Sequence, residues 1–182
     1  MKIFVKPRKS LTRFSIRKKK KSLVRNRKVY NFSTAKSVGI FFDCNDTESL
    51  GKIRHFCNRL EYNKIKTEIL CYINSDEVPG ELLLWDACNV LSNSDLDWKF
   101  RPKDQIAEDF IAKKFDILFD LSLSDHITSS YIISLSSAQF KVGKFREGEN
   151  DLDMMINIEQ DNSVKYLLEQ VINYVSMLNK SE

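Results

Sequence analysis

Acidic residues are missing from the first 42 positions of this 182-residue chain. Glycine and proline are scarce, at five and three, which excludes collagen-like and linker-rich low-complexity proteins. No run approaches the roughly 18 apolar residues that cross a bilayer, and the stretch Ile3–Val5 is too short for the apolar core of a secretory leader. The four cysteines, Cys44, Cys57, Cys71 and Cys88, include no CxxC pair. Their apolar surroundings mark them as small core residues and suit a reducing cytoplasm. Neither GxGxxG nor GxxxxGK[ST] occurs, so nothing supports phosphate cradling by successive glycines. With only two histidines, His55 and His126, and scattered cysteines, the chain makes a poor zinc protein.

What is present is charge, unevenly placed. Residues 1–36 hold fourteen Lys or Arg and no acid, whereas residues 37–182 hold the other fifteen basic residues and all twenty-five acidic ones. The chain therefore divides into a basic N-terminal arm, 1–36, and a single acidic domain, 37–182. "SIRKKKKSLVRNRK", Ser15 to Lys28, concentrates the arm's charge in Arg17, Lys18, Lys19, Lys20, Lys21, Arg25, Arg27 and Lys28. Such a run releases counterions from a phosphate backbone, so RNA or a ribonucleoprotein such as the ribosome is the leading partner. An anionic membrane surface, an acidic protein and the chain's own acidic domain are the other partners this charge suits. Low acid content with Arg and Ser also suits an organellar leader, but the lysine-heavy run reads as a retained arm. Ser10–Arg25 can form only a weakly amphipathic helix, because Lys18 and Lys21 interrupt the face begun by Leu11 and Phe14. Pro7 and Ser10 predict where that helix starts.

The domain alternates apolar runs with helical stripes. "SVGIFFD" (Ser37–Asp43), "KTEILCYI" (Lys66–Ile73) and "FDILFDLS" (Phe115–Ser122) read as buried strands. Asp46 or Thr47 caps a helix with its apolar face on Leu50, Ile53, Phe56, Cys57 and Leu60. Glu81–Leu91 reads either as a strand to Trp85 and a turn, or as one short helix. Ser92–Asp95 reads as a turn and "LDWKF" (Leu96–Phe100) as a short strand. Asp104 starts a helix with Ile106, Phe110 and Ile111 on one side. His126–Ala138 is weakly helical, and Phe140–Phe145 and Asp153–Ile158 are further strands. The last helix carries the stripe Val164, Leu167, Leu168, Val171, Ile172, Val175 and Leu178. Trp85 and Trp98 read as core or edge aromatics, with Lys99, Arg101 and Lys103 a small accessory phosphate contact. The order predicts a three-layer, Rossmann-like α/β fold with a mostly parallel sheet.

Open α/β sheets place ligands beyond the carboxyl ends of their strands. There the sequence offers Asp43 and Asp46 after the first run, and Asp120 and His126 after "FDILFDL". These oxygens could take Mg²⁺ or a nucleotide, although caps and strand ends explain the same residues. The stretch Phe115–Phe145, "FDILFDLSLSDHITSSYIISLSSAQFKVGKF", resembles the end of the first Rossmann-like half of heptosyltransferase-type glycosyltransferases. That family carries Gly-Asp after its first strand; "FFDCNDTESLG" stands here, with Asp46 as the displaced counterpart. The whole chain also resembles small uncharacterised proteins of Bacteroidetes. The expected function is a non-catalytic α/β adaptor that binds RNA through its arm. The alternative, implied by the first resemblance, is a Rossmann-like enzyme or ligand sensor using Asp43, Asp46, Asp120 and His126.

Overall fold

The structure, a computed structural model, describes residues 5–44, 47–148 and 150–178. Six strands form one sheet: β1 (Ser37–Asp43), β2 (Lys66–Tyr72), β3 (Cys88–Leu91), β4 (Ile117–Asp120), β5 (Phe140–Lys144) and β6 (Met154–Ile156). Their order is β3-β2-β1-β4-β5-β6, and each neighbouring pair is parallel. The chain builds outward from β1 to β3, returns across β1, and builds outward again, which is the doubly wound arrangement.

Alternation along the strands supplies both cores. From β1, Val38, Ile40 and Phe42 join a cluster with α2 (Thr47–Tyr62) and α6 (Val164–Met177), through Ile53, Phe56, Leu167 and Val171. Phe41 of the same strand joins the opposite cluster, with Phe110 of α4 (Gln105–Ala112) and Tyr131 and Ile132 of α5 (Ile127–Leu135). Burial on both faces is why the strand sequences are nearly continuous apolar runs. Gly39 keeps the second face closed: a Cβ there would lie 2.7 Å from a ring carbon of Phe115.

The runs at 37–43, 66–72 and 117–120 form adjacent strands as the sequence predicts. Several local expectations change. Glu81–Leu91 contains a short helix, α3 (Gly80–Leu83), followed by the edge strand β3, rather than a strand ending at Trp85. "LDWKF" is a loop, because Asp97 accepts the amides of Lys99 (2.8 Å) and Arg101 (3.0 Å) and Phe100 takes a left-handed φ of 60°. Trp98 is exposed, unlike the buried Trp85. Asp104 does cap α4 by accepting the Ile106 amide, but Ala107 is buried where Ile106 was expected and Ile106 is exposed. The predicted caps of α2 lie at or beside residues outside the description.

The basic arm folds against the rest of the chain. Helix α1 (Val5–Lys20) begins before Pro7, which is tolerated in a first turn, and runs through Ser10. It packs on α5 through a narrow inner face. Thr12 is fully buried, with its hydroxyl donating to the Arg8 and Lys99 carbonyls, and Ile16 enters the α4–α5 core. Residues 21–36 then form a strap beneath the amino ends of the strands. Arg25 reaches the Ala138 and Gln139 carbonyls, and Lys28 N–H donates to Gln139 (3.3 Å). The buried Asn31 donates to the Leu178 carbonyl (2.6 Å), and Asp116 accepts the Lys36 and Ser37 amides.

Candidate functional site

Helical geometry distributes the lysine run around α1, since each residue turns about 100° from the last. Lys19 is exposed but leans onto α5 and α4, donating to the Tyr131 hydroxyl and lying 3.8 Å from Glu108. Lys20 turns sideways to Asp151 (2.5 Å). Lys18 and Lys21 are exposed, as are Arg13, Arg17, Arg27 and Lys28. Arg27 also lies 3.6 Å from Asp153. Phe14, 68% exposed, shares the outer side, with Arg17 and Lys18 one turn away. Arg25 differs from the rest. Its guanidinium is largely enclosed between Asp153 and two backbone carbonyls, and burial, with help from Arg27, lowers its pKa to about 10. Arg25 therefore holds the strap in place.

The strand-end acids do converge. Asp43 and Asp120 end the adjacent strands β1 and β4, and the His126 ring lies 4.0 Å from Asp43. Both carboxylates are buried and have partners. Asp43 accepts the amides of Leu123 (2.8 Å) and Ser124 (3.0 Å). Asp120 accepts the Ser122 amide (3.1 Å) and Arg146 (3.2 Å). Burial raises the Asp120 pKa against the pull of Arg146. Burial lowers that of His126, with Asp43 opposing and Lys9 adding to the shift. These oxygens shape the loop after β4 and form no cage for Mg²⁺; among the described residues no three His, Cys, Asp or Glu side chains gather around a metal position. Asp46 lies outside the described residues. None of the four cysteines forms a disulfide, and buried Cys71 lies beside buried Cys88 and the half-buried Cys44.

Sequence reasoning missed Arg146 and Lys141. Arg146 ties Asp120 to Asp125 and to the carbonyls of Ser122 (3.0 Å) and Ser124 (3.3 Å). The signal for it was indirect: a buried aspartate calls for a cation, and Arg146 lies just beyond the neighbouring strand. Lys141, on β5, is 1% exposed and donates to the Ile133 carbonyl in the last turn of α5 (2.6 Å). Burial, with Arg25 next, lowers its pKa to about 7.

A cleft of about 890 Å³ opens between α1 and the segments that follow β5 and β6. Lys9, Arg13, Arg17 and Lys20 line its α1 side at spacings of four, four and three residues, so one helix face supplies them all. Glu147, Asn157, Glu159 and Asn162 line it from the segments after β5 and β6, and α5 contributes Ser129. Asp120 and Asp125 also border it but are held by Arg146, as Asp151 is by Lys20. Ser129 is buried, and its Oγ has no hydrogen-bond partner among the described residues.

No helix among the described residues is long and apolar enough to cross a membrane. No curated protein and no solved structure matches the chain. Residues 8–178, taking in both α1 and the sheet, match a family of unknown function, DUF6913, and the chain belongs to that family.

Proposed function

We propose that the protein is a non-catalytic α/β adaptor that binds RNA, alone or within a ribonucleoprotein, through the outer side of α1 and the strap. One observation carries this reading: α1 docks through the small inner face of Thr12 and Ile16, leaving Arg17, Lys18 and Lys21 exposed around an exposed Phe14. Cations reach phosphates while an exposed ring stacks a base, the combination that single-strand binders use. The acidic partners Glu108, Asp151 and Asp153 take Lys19, Lys20, Arg25 and Arg27, and so position the helix. Contacts of this kind fix orientation with little base specificity. A reducing, RNA-rich cytoplasm suits both this surface and cysteines that form no disulfide.

The test is filter binding of single-stranded RNA across a salt series, with anionic vesicles in parallel. Lys18→Gln with Lys21→Gln should weaken RNA binding and lower the salt slope by roughly 0.7 per lost contact. Equal affinity in the variant and the parent protein would reject the RNA reading. Vesicle binding without RNA binding would move the assignment to a membrane surface.

A further inference from the structure

The cleft beside α1 shares Arg17 with the surface assigned to RNA but is not lined by Lys18 or Lys21, and its two sides differ in chemistry. We propose that it is a small-molecule site for a phosphate ester that carries vicinal hydroxyls. Lys9 and Arg13, one turn apart on α1, form no ion pair with any described residue, so both remain available to the phosphate. The neighbouring cations are occupied: Lys20 by Asp151, Arg146 by Asp120 and Asp125, and Lys144 by the Leu123 carbonyl. The cleft thus has one anion-binding side without being cationic throughout.

Glu147 and Glu159 would repel a phosphate, but they readily accept hydrogen bonds from hydroxyls. Asn162 beside them adds both a donor and an acceptor. A ligand anionic at one end and rich in hydroxyls at the other meets complementary groups at both ends. The Ser129 Oγ gives an independent indication that a polar group belongs here. A buried hydroxyl without a partner is costly, and this one borders the cleft, so a ligand oxygen would complete its bonding. The location is consistent too, beyond the carboxyl ends of β4, β5 and β6, where open α/β sheets present ligands. The volume is within the range of small-ligand sites, roughly 300–1,000 Å³. Because the cleft has α1 on one side and the domain on the other, an occupant would bridge them.

The experiment is calorimetric titration of the full chain with three probes: ribose 5-phosphate, inorganic phosphate and ribose. Ribose 5-phosphate should bind most tightly. Lys9→Gln with Arg13→Gln should weaken it by roughly tenfold or more, the effect of losing charge-assisted hydrogen bonds. Glu159→Gln with Asn162→Ala should weaken ribose 5-phosphate and leave inorganic phosphate unchanged. Ser129→Ala, which removes one small polar atom, should weaken binding several-fold with an unaltered thermal melt. The RNA-surface pair Lys18→Gln and Lys21→Gln should leave ribose 5-phosphate binding intact, which keeps this site separable from the RNA reading. No heat from any probe, or undiminished affinity after Lys9→Gln with Arg13→Gln, would overturn the site. Equal affinity for phosphate and ribose 5-phosphate would overturn the hydroxyl-binding side.

Discussion

The corner between β1 and β4 and the cleft beside α1 lie at the same end of the sheet and treat charge in opposite ways. In the corner, Asp43 and Asp120 are withdrawn from water and every carboxylate oxygen faces an amide or Arg146. In the cleft, Lys9 and Arg13 confront Glu147 and Glu159 across open space. A buried charge must be met within the chain, because desolvation otherwise drives it out or neutralises it. A charge left unmet at an accessible surface carries no such demand and remains free to engage another molecule. The corner therefore builds the loop, and the cleft and the outer side of α1 are where recognition can occur.

The sharpest way to break this comparison is Asp43→Ala. Two amides lose their buried acceptor, so denaturant melts should show a loss of roughly 2–4 kcal/mol. A near-neutral result would mean that the corner is not structural. Gly143→Ala probes the same corner through packing. The added Cβ would lie 2.9 Å from the Asp120 carbonyl oxygen and 3.0 Å from its Cβ, and should cost about 1–3 kcal/mol.

Lys141 separates the two regions by pH. Its folded pKa of about 7 lies below the value of 10.5 expected when unfolded. Between these values the unfolded chain binds the extra proton, so this group's contribution to stability rises with pH from about 7 and falls away as pH drops through 7. The charges around it are Arg25, Asp151, Lys20 and Arg27. From pH 7 to 8.5 the parent protein should gain up to about 1.4 kcal/mol per unit relative to Lys141→Met. Urea melts at several pH values would read that slope, and parallel lines would refute the neutral-amine state. The smallest effects belong to the open surfaces: Arg13→Gln or Lys18→Gln should change stability by less than about 0.5 kcal/mol. A larger loss in the same melts would make those side chains structural as well.

How legible these features were in the sequence depended on what each residue had to satisfy. β1 and β4 are buried on both faces, so "SVGIFFD" and "DILFD" announce themselves as apolar runs. β3 is a four-residue edge strand with Asn89 and Val90 only half-buried, and it leaves little periodic signal. The site was legible in position but not in role: Asp43, Asp120 and His126 meet as their strand-end locations imply, yet their partners come from backbone amides and from Arg146. No pattern in a linear sequence marks an amide as an acceptor's future partner. Arg25 illustrates the same limit, for an arginine in a polycationic run gives no sign that it will be enclosed. The side chains of α1 shown as buried are Thr12 and Ile16, a stripe too narrow to register as an amphipathic face.

The strap has a consequence for the order of events during synthesis. Arg25 needs Asp153, and Asn31 needs the Leu178 carbonyl, so the strap is made long before the groups that hold it. At ~5–20 residues per second, the delay between translating Arg25 and Asp153 is on the order of ten seconds. Throughout that interval Arg25 lacks the carboxylate that later pairs with it, and Asn31 is seated only after Leu178 has been made.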